Sequence, residues 1–205
     1  MPVKLKVVVP PHPLIAHWLT MLRNPVTPSP LYQKGFEELG RWLTYEALRD
    51  WLPYRKEEFE TVRGKVTGNV IEFGIPLIAI ASIPGGLELW TGGRDVLPNA
   101  KLCLGGIPDG IENNAGIILY SDQITTGELL LEKLDILVKQ NVAAKRIRVI
   151  CPIASSAGLK RIGELLPDLN IYCACIDDEL FDKYEIIPGI GNTTERINTR
   201  IVYPN

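Results

Sequence analysis

Histidine and cysteine are scarce in this chain, and their scarcity removes whole classes of chemistry. Of 205 residues, two are histidines (His12 and His17) and four are cysteines (Cys103, Cys151, Cys173 and Cys175). Five residues apart on a helix, the histidines diverge by about 140°. They share no metal-binding face, so neither a histidine triad nor a zinc site is expected. Cys173 and Cys175 lie two apart in an apolar run, which predicts one shared strand face. No CxxC spacing accompanies them. Small buried apolar residues are the expected reading, with metal or redox work as the alternative. An excess of charge is missing too: 22 basic and 24 acidic side chains leave a net charge of −2. There is no positive field to gather nucleic acid or an anionic membrane. The longest nearly pure apolar stretch, Ile75 to Ile83, is too short to span a bilayer as a helix. The opening MPVKLKVVVPPH has too short an apolar core for a signal peptide. The expected location is a reducing compartment, cytoplasm or an organelle stroma.

What is present is ordinary globular composition, 46% hydrophobic and 22% charged, over a length suited to one domain. Residues 4–9 predict a short strand stopped by Pro10 and Pro11, and His12 to Leu14 open a helix to about Arg23. Residues 31–50 predict the longest helix, with Leu31, Phe36, Leu39, Leu43 and Leu48 inward and Glu37, Glu38 and Arg41 exposed. Residues 57–71 alternate as a hairpin, turning at Gly64-Lys65. From there strands alternate with helices. Strands are expected at 75–81, 101–105, 116–120, 146–151 and 170–176, and helices at 87–97, 127–139 and 157–166. In the middle helix, Leu130, Leu134, Leu137 and Val138 form the apolar side. Continuous apolar strands alternating with helices predict an α/β fold, a parallel sheet flanked by helices. Lys145 to Arg148 is expected to be a solvated basic edge, and Asp177-Asp178-Glu179 a solvated loop.

In such a sheet, ligands sit beyond the carboxyl ends of the strands. The loop after Tyr120 reads Ser121-Asp122-Gln123-Ile124-Thr125-Thr126-Gly127 and leads into a helix. A helix start offers free N–H groups and a positive dipole end to phosphate. Asp122, one turn earlier, suits ribose hydroxyls or Mg²⁺. The loop alone leaves open the plainer alternative that Thr126 only caps the helix.

The loop is similar to the ribose-phosphate motif of type I phosphoribosyltransferases, an acidic pair followed by three residues and Thr-Gly. Further segments narrow the resemblance: HPLIAHWLTMLRN (12–24), LGRWLTYEALRDWLP (39–53), VLPNAKLCLGGI (96–107), LPDLNIYCACIDDEL (166–180) and IIPGIGNTTERI (186–197). These resemble uracil phosphoribosyltransferase, from about residue 12 to 199. The resemblance implies a type I phosphoribosyltransferase-like domain over residues 1–205. A small hood from residues 1–30 and 177–205 would pack on a core of about 70–176, with an N-terminal helical and hairpin segment. It also implies a homodimer and a pyrimidine-salvage reaction: uracil and phosphoribosyl pyrophosphate give UMP and pyrophosphate, with Mg²⁺. Carried over by motif, Asp122, Thr125, Thr126 and Gly127 would bind ribose and phosphate. Ile187, Gly189, Ile190 and Gly191 would bind uracil.

Five departures run against that activity. Pro84 stands where relatives carry a pyrophosphate-binding arginine, and a charge-assisted contact of that kind is worth about 1.5–3 kcal/mol. Only PDGIENNA (108–115) replaces a long charged hairpin that acts as a lid in relatives. Ser121 stands at the first acidic place of the ribose motif. Glu128 and Leu129 replace a glycine and a serine of the phosphate cradle, and Asn192 replaces the first acid of the C-terminal motif. Together such losses exceed about 5 kcal/mol, several thousand-fold in rate. The expected function is therefore a uracil phosphoribosyltransferase homologue acting as a non-catalytic binding, structural or regulatory homodimer, a pseudoenzyme with an unidentified protein partner. The alternative is an active uracil phosphoribosyltransferase, which would need Mg²⁺. Asp122 would be its catalytic candidate. No protein metal site, nucleic-acid partner or membrane span is expected.

Overall fold

The computed structural model describes residues 5–97, 99–104, 106–182 and 184–198. The first half runs β1 (Lys6–Val8), α1 (Pro13–Arg23), α2 (Ser29–Leu48), β2 (Tyr54–Thr61), β3 (Gly64–Ile71), β4 (Leu77–Ala81), α3 (Gly85–Gly93) and β5 (Lys101–Leu104). The second half runs β6 (Gly116–Tyr120), α4 (Glu128–Lys139), β7 (Ile147–Ser155), α5 (Ser156–Leu165), β8 (Asn170–Asp177), β9 (Glu179–Phe181), β10 (Glu185–Ile187) and α6 (Thr193–Asn198).

Six strands make one parallel sheet in the order β1-β8-β7-β6-β4-β5. β2–β3 and β9–β10 are separate antiparallel pairs. β4, β6 and β7 are buried along their whole length, because helices cover both faces of the sheet. Period-2 alternation divides their side chains between two cores. Ala79, Ala81, Ile118, Tyr120 and Ile150 meet α1, α2 and α3. Ile78, Ile80, Ile117, Leu119 and Val149 meet α4 and α5. The chain therefore leaves β4 for a helix on one face and leaves neighbouring β6 for a helix on the other. That divergence opens a crevice at the carboxyl ends of β4 and β6.

Several expectations shift. α2 starts at Ser29 and turns Tyr32 inward, so Leu31 lies exposed while Glu37, Glu38 and Arg41 are half-buried in ion pairs. The hairpin turns at Val62-Arg63, with Thr61 opposite Gly64. α3 occupies Gly85–Gly93, earlier than 87–97, because the glycines at its start enter the helix. β7 runs on to Ser155, and Val138 of α4 faces outward. The β7–β8 ladder skips Pro152, which has no N–H to offer. Beyond it Cys173 packs with Cys151 on the α4–α5 side, whereas Cys175 packs against the other core, so they share no face.

The basic cluster is no solvated edge. Arg148 is buried and stacks over Trp51, 5.0 Å from the ring centre. Arg146 donates to the carbonyls of Ala115, Asn113 and Glu112. The acidic run is solvated only in part: Asp177 is 6% exposed and ion-paired at the end of β8, whereas Asp178 and Glu179 are exposed, with Asp178 accepting the Ser156 hydroxyl at 2.6 Å. Of the segments expected to form a hood, residues 1–4, 183 and 199–205 lie outside the described residues. No helix among the described residues is long and apolar enough to cross a membrane.

Candidate functional site

The loop after β6 is fixed by β7 before it reaches the crevice. Ser121 N–H donates to Ile150 O at 2.9 Å, and Ile124 N–H to Ile153 O at 3.1 Å. Ser155 N–H returns to Ile124 O at 2.8 Å, and its hydroxyl donates to Thr125 O at 2.5 Å. The same hydroxyl accepts Gly158 N–H at 2.9 Å and so caps α5. One serine thus ties the loop to the helix beside it.

Gly127 then caps α4 with φ 76°, a left-handed conformation that costs a side-chain-bearing residue about 1–2 kcal/mol. Thr126 is not the cap residue, but its hydroxyl accepts Glu128 N–H at 3.4 Å. Among the described residues, the N–H groups of Thr125, Thr126, Gly127, Leu129 and Leu130 have no hydrogen-bond partner. All five residues line a cavity of about 830 Å³, with Ser82 and Ile83 after β4 and Gly106 and Ile107 after β5. Consecutive unpaired amides at a helix start make an anion cradle.

Asp122 stands in the cavity wall. Gly85 approaches it so closely that a Cβ there would clash with the Asp122 side chain. Burial raises the Asp122 carboxyl above the ordinary range, although the Gln123 N–H at 3.0 Å and the positive charge of Lys133 pull the other way. Ser121 also lines the cavity, and its hydroxyl donates to Gln123 O at 3.2 Å.

Glu128 sits at the cavity mouth, 59% exposed, with its carboxylate 3.9 Å from Arg161 on α5. Its exposure and its pairing with Arg161 weaken the repulsion it would offer an anion at the cradle. Leu129 is 76% exposed. Pro84 caps α3 with no side-chain hydrogen bond to offer. Segment 108–115 contains no strand and is held down by Gln140 on Pro108 O and by Arg146 on Ala115 O.

The uracil candidates form a second cluster that does not line this cavity. Ile187 is exposed, whereas Gly189 and Ile190 are buried. Asp177 accepts Gly189 N–H at 2.9 Å, and Arg23 donates to Gly189 O at 3.0 Å. Ile190 O accepts the Tyr32 hydroxyl at 3.2 Å and Arg196 at 2.9 Å. Gly191 O accepts the Gln123 amide at 2.9 Å, and the same amide reaches Thr193 Oγ1 at 3.0 Å. Every carbonyl of Gly189-Ile190-Gly191 therefore has a side-chain donor, and the N–H groups of Ile190 and Gly191 have no partner among the described residues. Asn192 accepts Glu195 N–H at 3.1 Å and caps α6, a role in which Asn and Asp are equivalent.

Sequence reasoning located the cradle and Asp122 but missed Gln123, Lys133 and the Arg23–Asp177 pair. Lys133 had a signal: Leu129, Lys133 and Ile136 follow helical spacing on α4, and all line the cavity. Arg23 and Asp177 are 154 residues apart, and nothing local links them. Among the described residues, no group of three or more His, Cys, Asp or Glu could hold a metal ion.

A profile of the uracil phosphoribosyltransferase family matches residues 9–199. A protein of Synechococcus elongatus described as uracil phosphoribosyltransferase is 35% identical, over 95% of this chain and 97% of its own. The chloroplastic uracil phosphoribosyltransferase of Arabidopsis thaliana is 33% identical over 94% of this chain and 71% of its own. Among solved structures, the AQ2163 protein of Aquifex aeolicus superposes with a TM-score of 0.80 at 29% identity, over 96% of this chain and all of its own.

Proposed function

The chain belongs to the uracil phosphoribosyltransferase family, and on that premise we propose that this member binds a phosphoribosyl ligand but transfers it poorly or not at all. The observation that carries the reading is an asymmetry of the crevice. The amide cradle at Thr125–Leu130 is intact and faces a cavity beside Asp122. After β4 Pro84 supplies no charge, and after β5 the clamped segment 108–115 supplies no lid. A phosphate that stays bound throughout is served; a leaving pyrophosphate is not.

Mg²⁺ fits here as an ion carried by the ligand's phosphates, with Asp122 the half-buried carboxylate of the cavity wall, where Glu128 and Glu132 are exposed. Mg²⁺ commonly takes one or two carboxylates, substrate phosphates and waters. When bound it would neutralise developing charge on pyrophosphate. Asp122 would accept ribose hydroxyls, and the Thr125–Leu130 amides would hold the 5′-phosphate. The Gly189–Gly191 segment, joined to the cradle through Gln123, would present its free N–H groups to the carbonyls of a pyrimidine.

We further assign a homodimer, the hood and core division, and a cytoplasmic or stromal setting. The β2–β3 hairpin supports the first. β2 is exposed along its length and β3 over most of its own, and with the turn they carry Tyr54, Phe59, Val62 and Val66 outward.

A second reading, an active uracil phosphoribosyltransferase, is favoured by Glu128, which is exposed and paired with Arg161 rather than buried in the cradle. One experiment decides between them. The purified protein is titrated calorimetrically with phosphoribosyl pyrophosphate and Mg²⁺, then assayed for UMP with uracil. Binding without turnover supports the proposal. Saturable UMP formation replaces it with the second reading, and no binding removes both.

A further inference from the structure

Among the described residues, Lys133 is the one basic side chain that lines the cavity. The other charged side chains described there are Asp122, Glu128 and Glu132, three acids. Lys133 projects from the second turn of α4, on the stripe with Leu129 and Ile136. It is half-buried, and it makes no hydrogen bond and no ion pair among the described residues. Burial lowers its affinity for a proton, and the charge of Asp122 only partly offsets this. Lys34, Lys65 and Lys139 are paired with carboxylates; the unpaired Lys56, Lys101, Lys145 and Lys160 are exposed, so among the described lysines Lys133 is the one that is both unpaired and half-buried.

We propose that Lys133 is the cationic contact for the phosphate groups of the ligand held at the Thr125–Leu130 cradle, supplying from α4 the positive charge that Pro84 does not supply from the loop after β4. This rests on the phosphoribosyl-binding reading above and adds the residue that reading lacks. The cradle's amides are partial charges, whereas a phosphoribosyl ligand carries several full negative charges in a cavity whose other described charged side chains are acidic. A half-buried ammonium with no carboxylate in contact is already partly desolvated, so less hydration is lost when an anion arrives. The helix fixes its origin: Lys133 lies six residues beyond Gly127, so the amides and the ammonium are carried by one rigid element. A lysine whose only task was to neutralise Asp122 would be expected to sit in ion-pair contact with it, which Lys133 does not.

The test is calorimetric titration of the full chain and of Lys133→Met and Lys133→Gln. Each is titrated with Mg²⁺ and phosphoribosyl pyrophosphate and, separately, with inorganic pyrophosphate. Thermal melting confirms that each variant folds. Both variants are expected to bind phosphoribosyl pyrophosphate about 10- to 100-fold more weakly, the scale of one charge-assisted contact. Wild-type affinity in either folded variant overturns the proposal. If the wild-type protein binds pyrophosphate but not phosphoribosyl pyrophosphate, the proposed function fails. Lys133 is then judged on pyrophosphate alone: loss of binding in the variants sustains it, and unchanged binding removes it. A wild-type protein that binds neither ligand removes both.

Discussion

Arg23 grips Asp177 with both arms of its guanidinium, Nη2 to Oδ1 at 2.7 Å and Nη1 to Oδ2 at 2.8 Å. The pair joins the end of α1 to the end of β8, and each partner also holds Gly189, one its carbonyl and the other its N–H. A two-point ion pair therefore sets the start of the Gly189–Gly191 segment. Burial by itself would raise the Asp177 carboxyl. Hydrogen bonds from Arg23, Gly189 N–H and the Cys175 thiol outweigh burial and hold it below the ordinary range. The unfolded carboxyl titrates near 3.9, roughly. With a depressed folded value, the pair's contribution is complete above that pH and disappears as pH falls through the folded value. Asp177→Ala leaves Arg23 without its counterion and is expected to cost about 3 kcal/mol, with a flatter acid limb in a pH series of melting temperatures. An unchanged acid limb would show that the pair contributes nothing to folding.

Asp122 carries the opposite sign. Burial penalises its charged form, so protons bind the folded state more tightly, and stability declines as pH rises from the unfolded value toward the raised folded one. Asp122→Asn is therefore expected to melt a few degrees higher than wild type at pH 7. The same variant should bind phosphoribosyl pyrophosphate at least about tenfold more weakly, because the charged acceptor is replaced by a neutral amide with one acceptor oxygen fewer. Melting and calorimetry on one preparation check both. A stabilised variant with unaltered affinity would remove Asp122 from the site.

Gly127 is a sharper test of the cradle. Its φ of 76° is left-handed, and a Cβ there would meet Gly158 O at 3.1 Å and the Ile162 side chain at 3.2 Å. Gly127→Ala is expected to lose about 1–2 kcal/mol and to misdirect the amides that follow. Urea unfolding reads the first effect, and pyrophosphate titration reads the second. Loss of stability with full pyrophosphate binding would place the anion elsewhere.

The sheet was legible in the sequence because a strand buried on both faces leaves a continuous apolar run, as Leu77–Ala81 and Gly116–Tyr120 do. The cradle was legible because a threonine-glycine step into a helix carries its chemistry in consecutive residues. What local pattern cannot carry is partnership over distance. Asp177 reads as one acid in an acidic loop until Arg23 arrives from the other end of the chain. Arg148 reads as one member of a basic cluster until Trp51 covers it. Glu128 reads as an obstruction in the cradle, and only the position of Arg161 on the next helix shows that it has a partner of opposite charge. Pro84, Ser121 and Asn192 were visible as departures, yet the structure alone shows that Asn192 still caps a helix.

Gln123 connects the two halves of the site, and its removal separates them. Its amide donates to Gly191 O and Thr193 Oγ1 from a loop that is itself tied to β7 through Ser121, Ile124 and Thr125. Gln123→Met keeps the length and apolar bulk of the side chain and deletes both donors. Two neutral hydrogen bonds, one of them at an exposed position, are worth about 1–2 kcal/mol in stability at most. The larger consequence is expected in motion: amide exchange at Gly191–Thr194 should quicken, while exchange in α4 and β7 stays as in wild type. If the Gly189–Gly191 segment reads a pyrimidine, UMP affinity should fall several-fold more than pyrophosphate affinity, because only the nucleotide must touch both clusters. Equal losses for the two ligands would mean that the segment touches neither, and that Gln123 matters only to the shape of the cradle.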